Sequence, residues 1–481
     1  MNNPVHYLQY PFLWIQNIFQ RLGRWIADLL GDNHQSGKKN SIAVLDGVRG
    51  VAVLIVIVFH VNRVAGDNLW SRTAYPLATS ISTAGGTGVT LFFVLSGFLL
   101  FMPFAKALLY KTSWPLGRVF YMRRVLRIVP GYYVSLLLIV LFMHPEYLHR
   151  DHLKYFALFL TFFMDSSRVT FRQVNGPFWT LATEWQFYML LPLIALVIAL
   201  LVSRVPIQKR LPAVTFSLLG LIAWGLFVRF WGFYYLNHPS ETFLVPRSIL
   251  NVILFFSFGI TGKYTEDFAV GMLISLYYIY SQHPSTDSNF ARRWQRLSPW
   301  LWGSGMLVLV FGAMWHFNHE MHGWPFLNDL LPVYDWLNEM LLSFGFGACI
   351  AAILYGSAGL KKIFEWPLLR WVGLISYSLY MWHLPLLVLF ATRVLPYIHG
   401  LNRYTSYSLY WLWVLLVVFP FAFLSFLIVE KPWMKLGDQC RLVIEKDHRE
   451  KLKMREAELT RQQMVMEQET ASALPKEAVT K

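Results

Sequence analysis

Between residues 43 and 430 the chain is a succession of apolar runs, most of them near the roughly 20 residues an α-helix needs to cross a hydrocarbon core. No other feature narrows the fold as much, because inside a bilayer every backbone N–H and C=O must be paired within protein. The runs fall at 43–62, 87–107, 128–143, 177–202, 212–235, 264–282, 300–317, 336–357, 370–392 and 408–430. They predict an all-α, polytopic membrane helix bundle with about ten transmembrane helices. Residues 153–164 and 248–261 are apolar but short, and read as re-entrant or surface helices. Charged residues make up 14% of the chain, against about a quarter in soluble proteins, so a soluble globular fold is excluded. Trp and Tyr gather at segment ends, as in "WPLLRWVGLISYSLYMWH", where their rings suit the membrane interface.

The formal net charge is +15. The basic residues lie between apolar runs, so this charge reads as topology and contact with anionic lipid headgroups, not nucleic-acid binding. One alternating set of connections holds Lys106, Lys111, Arg118, Arg123, Arg124, Arg127, Arg204, Lys209, Arg210, Arg292, Arg293, Arg296, Lys361 and Lys362. The positive-inside rule assigns that set, and both termini, to the cytoplasm. Cys349 and Cys440 sit in or beside apolar segments and suggest neither a disulfide nor a metal framework. The start lacks the pattern of a signal peptide. Residues 1–41 read as an amphipathic interfacial segment, with Gln16, Asn17, Gln20, Arg21, Arg24 and Asp28 within one arc of roughly 140°. Residues 42–434 form the transmembrane domain, and 435–481 a charged cytosolic helical tail with a disordered end.

Ionisable residues inside such spans are costly and face a cavity or a partner. In "LDGVRGVAVLIVIVFH", residues 45–60, Arg49 and His60 differ by about 20° in azimuth and about 16 Å in height on a helix. Asp46 lies one turn from Arg49. The stripe runs from a cationic cytosolic mouth to an imidazole near the outer leaflet. Glu184, in "WTLATEWQFYMLLP", lies about 10 Å down an opposite-running helix, at a depth comparable with His60. A His60–Glu184 pair is therefore expected, with the carboxylate orienting the ring as in a general base. The rival is a structural Glu184 bonded to Trp or Tyr. His316, His319 and His322 spread over about 120° of one helix, which makes a three-ligand site awkward, so no metal is expected.

These blocks resemble, in order, those of the membrane acyltransferase-3 family. "LDGVRGVAVLIVIVFH" is similar to its Arg-x10-His motif, "GVTLFFVLSGFLL" to its second-helix signature and "RRVLRIVPGYY" to its following basic motif. "WTLATEWQFYMLLP", "GLISYSLYMWHLP" and "LIVEKPW" resemble three further blocks, and the resemblance covers residues 42–434. Thr90 departs from it, standing where many members carry Asp before the Phe-Phe pair.

The resemblance implies transfer of an acyl group, usually acetyl, from cytosolic acyl-CoA to a hydroxyl of an extracytoplasmic carbohydrate or glycolipid. The expected setting is a bacterial cytoplasmic membrane, with no bound cofactor and acyl-CoA as donor substrate. Arg49, Arg123, Arg124 and Arg127 would then hold CoA phosphates, whose oxygens match guanidinium forks, with the pantetheine arm threading toward His60. His60 is the expected base, with a covalent acyl relay on its ring as an alternative. Ser96 is a candidate for binding the thioester oxygen, although small-residue helix packing is the stronger reading. Asp46, Ser376, Tyr377, Tyr380 and His383 read as channel lining, the last four alternatively as interfacial packing. Glu430 reads as a helix-ending ion pair or as a counter-ion of Arg124 or Arg127. Lys263, Glu266 and Asp267 read as an outer polar group that meets the acceptor or merely solvent. Membrane lipids are expected partners, and homo-oligomerisation is left open. A transporter whose Arg49, His60 and Glu184 line an anion or proton route is the alternative function, but the sequence lacks the matched broken spans of many transporters.

Overall fold

The structure, a computed structural model, describes residues 43–66, 75–284 and 286–472. The expected amphipathic segment at 1–41 and the end of the tail, 473–481, lie outside the described residues. The regular elements described are all helical. The long helices are α1 (Ala43–Val64), α2 (Gly88–Tyr110), α3 (Gly117–Met143), α4 (Phe178–Leu201) and α5 (Arg210–Asn237). They continue with α6 (Thr265–Ser281), α7 (Ser288–Met321), α8 (Tyr334–Tyr355) and α9 (Ser376–Leu389). The last, α10, runs through Arg403–Trp413, Phe419–Ser425 and Lys431–Ser472, joined by π-helical turns at 414–418 and 426–430. The charged tail is thus a direct continuation of the last apolar run.

Among the described residues, 9 helical runs are long and apolar enough to cross a membrane. The expected span at 264–282 is the exception, since α6 has 17 residues. It is short because it starts inside the bundle. Gly262 (φ 97°) and Tyr264 (φ 53°) turn the chain into the helix. The first-turn acids Glu266 and Asp267 are then buried. Glu266 pairs with Arg229 of α5 at 2.5 Å, and Asp267 accepts a hydrogen bond from Ser343 of α8 at 2.6 Å. Ser343 lies about 13 Å along α8 from its start at Tyr334. Lys263, just before α6, pairs with Asp165 at 2.6 Å. The reading of Glu266 and Asp267 as a solvated loop is therefore corrected, while Lys263 and Glu266 line a further cavity beside Arg229. Irregular backbone at membrane depth survives where protein surrounds it, and buried charges there need partners.

Two close approaches position the centre of the bundle. A Cβ on Gly97 of α2 would run into the carbonyl of Phe268 on α6, and one on Gly271 of α6 into that of Val94. A Cβ on Gly373, in the short helix Pro367–Leu374, would run into the carbonyl of Asp46 on α1. Helix α9 follows directly and packs alongside α1. Away from this centre, Leu193, Leu196 and Leu200 of α4 and Phe216, Trp224 and Phe227 of α5 stay exposed, as lipid-facing side chains do.

Candidate active site

Helical spacing puts Arg127 of α3 about 40° from Arg123 and about 60° from Arg124, with Arg123 and Arg124 about 100° apart on its two sides. Arg124 and Arg127, with Arg49 of α1, line a cavity walled by α1, α2, α3, α4 and α9. We call this the inner cavity, following the charge reading of the sequence. Arg124 lies over the Tyr188 ring at 5.7 Å, and Arg127 Nη1 donates to Met434 Sδ at 2.9 Å. Arg123 is not among the lining residues. It reaches Asp438 of the tail at 3.8 Å, which corrects its grouping with the cavity arginines. Asp46 also stays outside the lining, 3.8 Å from both Arg49 and Arg370, so its expected place along the channel is corrected to a charge pairing beside it.

Ser96, Glu184, Ser376, Tyr377 and Tyr380 all line the inner cavity. Glu184 accepts hydrogen bonds from Ser96 Oγ at 2.6 Å and from the Tyr188 hydroxyl. Its expected pairing with His60 is thus corrected, and the tyrosine-bonded alternative is the one observed. Residues at equal depth on two helices meet only if their azimuths converge, and Glu184 turns toward Ser96 and Tyr188. Tyr377 donates to the carbonyl of Ile128 at 2.8 Å, and the hydroxyls of Tyr380 and Thr180 lie 2.6 Å apart. Glu430 is buried and accepts from Ser378. Its Oε2 has no hydrogen-bond partner among the described residues; its direct contact is the hydroxyl from α9 and not a helix-ending ion pair, and the Arg127 charge acts on it from a longer range.

A second cavity, here the outer cavity, lies toward the opposite end and is lined by His60, Arg63, Arg172, Trp179, Glu320 and Glu339, among others. Val89 and Tyr380 line both cavities. The two spaces therefore share a wall, with Arg49 on one side and His60 on the other. His60 Nδ1 is 3.0 Å from the carbonyl of Val56 and 3.1 Å from Nε2 of His383. His383 is fully buried behind His60 and lines neither cavity, which corrects its reading as a channel residue. Glu320 lies 3.9 Å from Arg63 and 3.8 Å from His316. Glu339 accepts from Thr90 Oγ1 at 2.9 Å. At Thr90, where the sequence departs from the resemblance, this chain therefore has a hydroxyl bonded to a carboxylate from α8. His316 meets the Tyr334 hydroxyl at 2.5 Å, and the His319 ring stacks on Tyr334 at 3.9 Å.

The residues missed from the sequence are Thr180, Tyr188, Arg229, Trp179 and Glu339. Arg229 carried a signal, being an arginine inside the apolar run "GLFVRFWGF". Glu339 carried the same signal within the run 336–357. Thr180, Tyr188 and Trp179 carried none, since such residues are ordinary in membrane helices.

Among curated proteins, the chain is 26% identical over 414 residues to "Peptidoglycan O-acetyltransferase OatA" of Listeria monocytogenes, covering 82% of this chain and 56% of that protein. It is 25% identical over 429 residues to a "Putative O-acetyltransferase" of Staphylococcus aureus, covering 83% and 58%. It is also 25% identical over 372 residues to "Putative peptidoglycan O-acetyltransferase YrhL" of Bacillus subtilis, covering 74% and 50%. The chain thus spans a little over half the length of the first of these relatives. No solved structure matches it. The family model described as an acyltransferase domain matches residues 42–430, and this multi-pass membrane protein belongs to that acyltransferase family.

Proposed function

We propose that the chain is an integral-membrane O-acetyltransferase that carries an acetyl group from cytosolic acetyl-CoA to a hydroxyl of peptidoglycan outside a bacterial cytoplasmic membrane. The observation that carries this reading is the shared wall. An arginine-lined cavity and a histidine-lined cavity meet at Val89 and Tyr380. Arg124, Arg127 and Arg49 suit the phosphates of CoA, since guanidinium groups bind such oxygens through charge-assisted hydrogen bonds. The outer cavity offers an acceptor sugar the aromatic faces of Trp179 and Tyr264 and several polar side chains. Peptidoglycan as the acceptor is taken from the names of two relatives.

In this mechanism His60 takes the proton of the acceptor hydroxyl as that oxygen bonds to the thioester carbonyl carbon. The C–S bond then breaks, and the departing CoA sulfur recovers the proton from His60. The products are an acetyl ester and CoA thiol. The test uses proteoliposomes with labelled acetyl-CoA on the arginine-rich side and a peptidoglycan fragment on the other. Labelled ester and free CoA should form, and His60→Ala should form neither at a comparable rate. A protein that leaves acetyl-CoA intact, or a His60→Ala variant with normal turnover, would sink the reading.

A further inference from the structure

The two histidines fix each other's protons through hydrogen-bond chemistry alone. His383 Nδ1 lies 2.9 Å from the carbonyl of Leu379, one turn back on α9. A carbonyl only accepts, so Nδ1 carries the hydrogen. A neutral imidazole has one N–H, which leaves Nε2 of His383 with a lone pair. That atom is 3.1 Å from His60 Nδ1. His60 Nδ1 also faces the carbonyl of Val56 at 3.0 Å. Both neighbours of this nitrogen are acceptors, so it carries the hydrogen of the His60 ring. His60 Nε2 is therefore the bare nitrogen. The two hydrogen-bond contacts of the ring with described residues are both made by Nδ1, and the ring lines the outer cavity.

We propose that His383 is a positioning residue that holds His60 as its Nδ1–H tautomer, leaving Nε2 bare toward the outer cavity as the atom that takes the acceptor's proton. This rests on the acetyltransferase reading for its chemical step, but the tautomer itself does not. When Nε2 gains the acceptor's proton, the Nδ1–H bond to His383 strengthens, because charged donors make stronger hydrogen bonds. The proton later leaves Nε2 for the CoA sulfur, and His383 ends unchanged. A carboxylate performs this service in a Ser-His-Asp triad. Here the cavity carboxylates are engaged elsewhere, Glu320 beside Arg63 and His316 and Glu339 on Thr90.

Two variants separate positioning from packing. In His383→Gln the amide oxygen extends far enough to accept from His60 Nδ1. In His383→Asn the side chain is one methylene shorter and does not. We expect His383→Asn to lower kcat about 100-fold with the KM for acetyl-CoA unchanged, and His383→Gln to recover about tenfold of that loss. Equal kcat values for the two folded variants would overturn the proposal. A measurement on the unaltered ring stands apart from activity and from folding of the variants. The 15N spectrum of histidine-labelled full-length protein in lipid nanodiscs, assigned with His60→Gln, should show a protonated Nδ1 and an unprotonated Nε2 for His60. The reverse pattern would overturn the proposal even in an active enzyme. A protein with the expected tautomer but no acetyl transfer would instead refute the acetyltransferase reading.

Discussion

Replacing Arg124 by Gln tests the donor site against a neighbouring control. Arg124 lines the inner cavity, lies over the Tyr188 ring and pairs with no carboxylate among the described residues. Its removal therefore strands no buried anion, and the fold should tolerate the change. If the guanidinium binds a CoA phosphate, the loss is one charge-assisted contact, worth about 1.5–3 kcal/mol. That corresponds to roughly a ten- to 150-fold rise in the KM for acetyl-CoA. Arg123→Gln removes the same charge from the adjacent position. It loses only the partly exposed contact with Asp438 at 3.8 Å, worth at most about 1 kcal/mol. Its KM should rise less than about fivefold. The assay is labelled acetyl transfer in proteoliposomes at varied acetyl-CoA and fixed acceptor. Equal KM values for the two variants, or a larger effect at Arg123, would refute the assignment of the inner cavity to the donor.

Further expectations concern the fold around the site. Gly97→Val should destabilise the protein by about 1–3 kcal/mol, because the added side chain meets the Phe268 carbonyl; thermal unfolding in detergent measures this, with Gly117→Ala, where nothing lies within 4 Å of an added Cβ, as the control. Glu266→Ala leaves Arg229 buried without its counter-charge and should cost about 3–5 kcal/mol, whereas Arg229→Met with Glu266→Leu should restore most of the loss in the same assay. Glu184→Ala strands the hydroxyls of Ser96 and Tyr188 and should cost about 1–3 kcal/mol. Glu184→Gln keeps an acceptor and should unfold close to the wild type.

Most of the bundle was legible because burial in lipid writes itself into runs of apolar residues. Helix periodicity also placed Arg49 and His60 on one stripe, and they now line two cavities that share a wall. What it did not supply was the depth at which α6 starts, although its bounds were read to within a residue. Residues 264–282 look like any other span, but Glu266 and Asp267 find their partners, Arg229 and Ser343, deep within neighbouring helices. A short helix with buried acids and a full-length helix with solvated acids have the same hydropathy.

The partner of His60 shows where such reading stops. Depth is a property of one helix: it put Glu184 near the height of His60, while His383 was read only as channel lining or packing. The choice between them depends on which helix packs beside α1 and how it is rotated. Gly373 lets Pro367–Leu374 approach the Asp46 carbonyl, and Gly50 likewise faces the carbonyl of Leu369. Larger residues at these positions would hold the two segments apart. Because α9 begins directly after Pro367–Leu374, that contact at one end of α1 carries α9 up along it and delivers His383 to His60. Glu184 instead turns toward Ser96, whose neighbour Gly97 brings α2 against α6. The glycines in "DGVRG" and "WVGLIS" thus carry the information that decides the histidine pair, in the form of close backbone approach and not of charge.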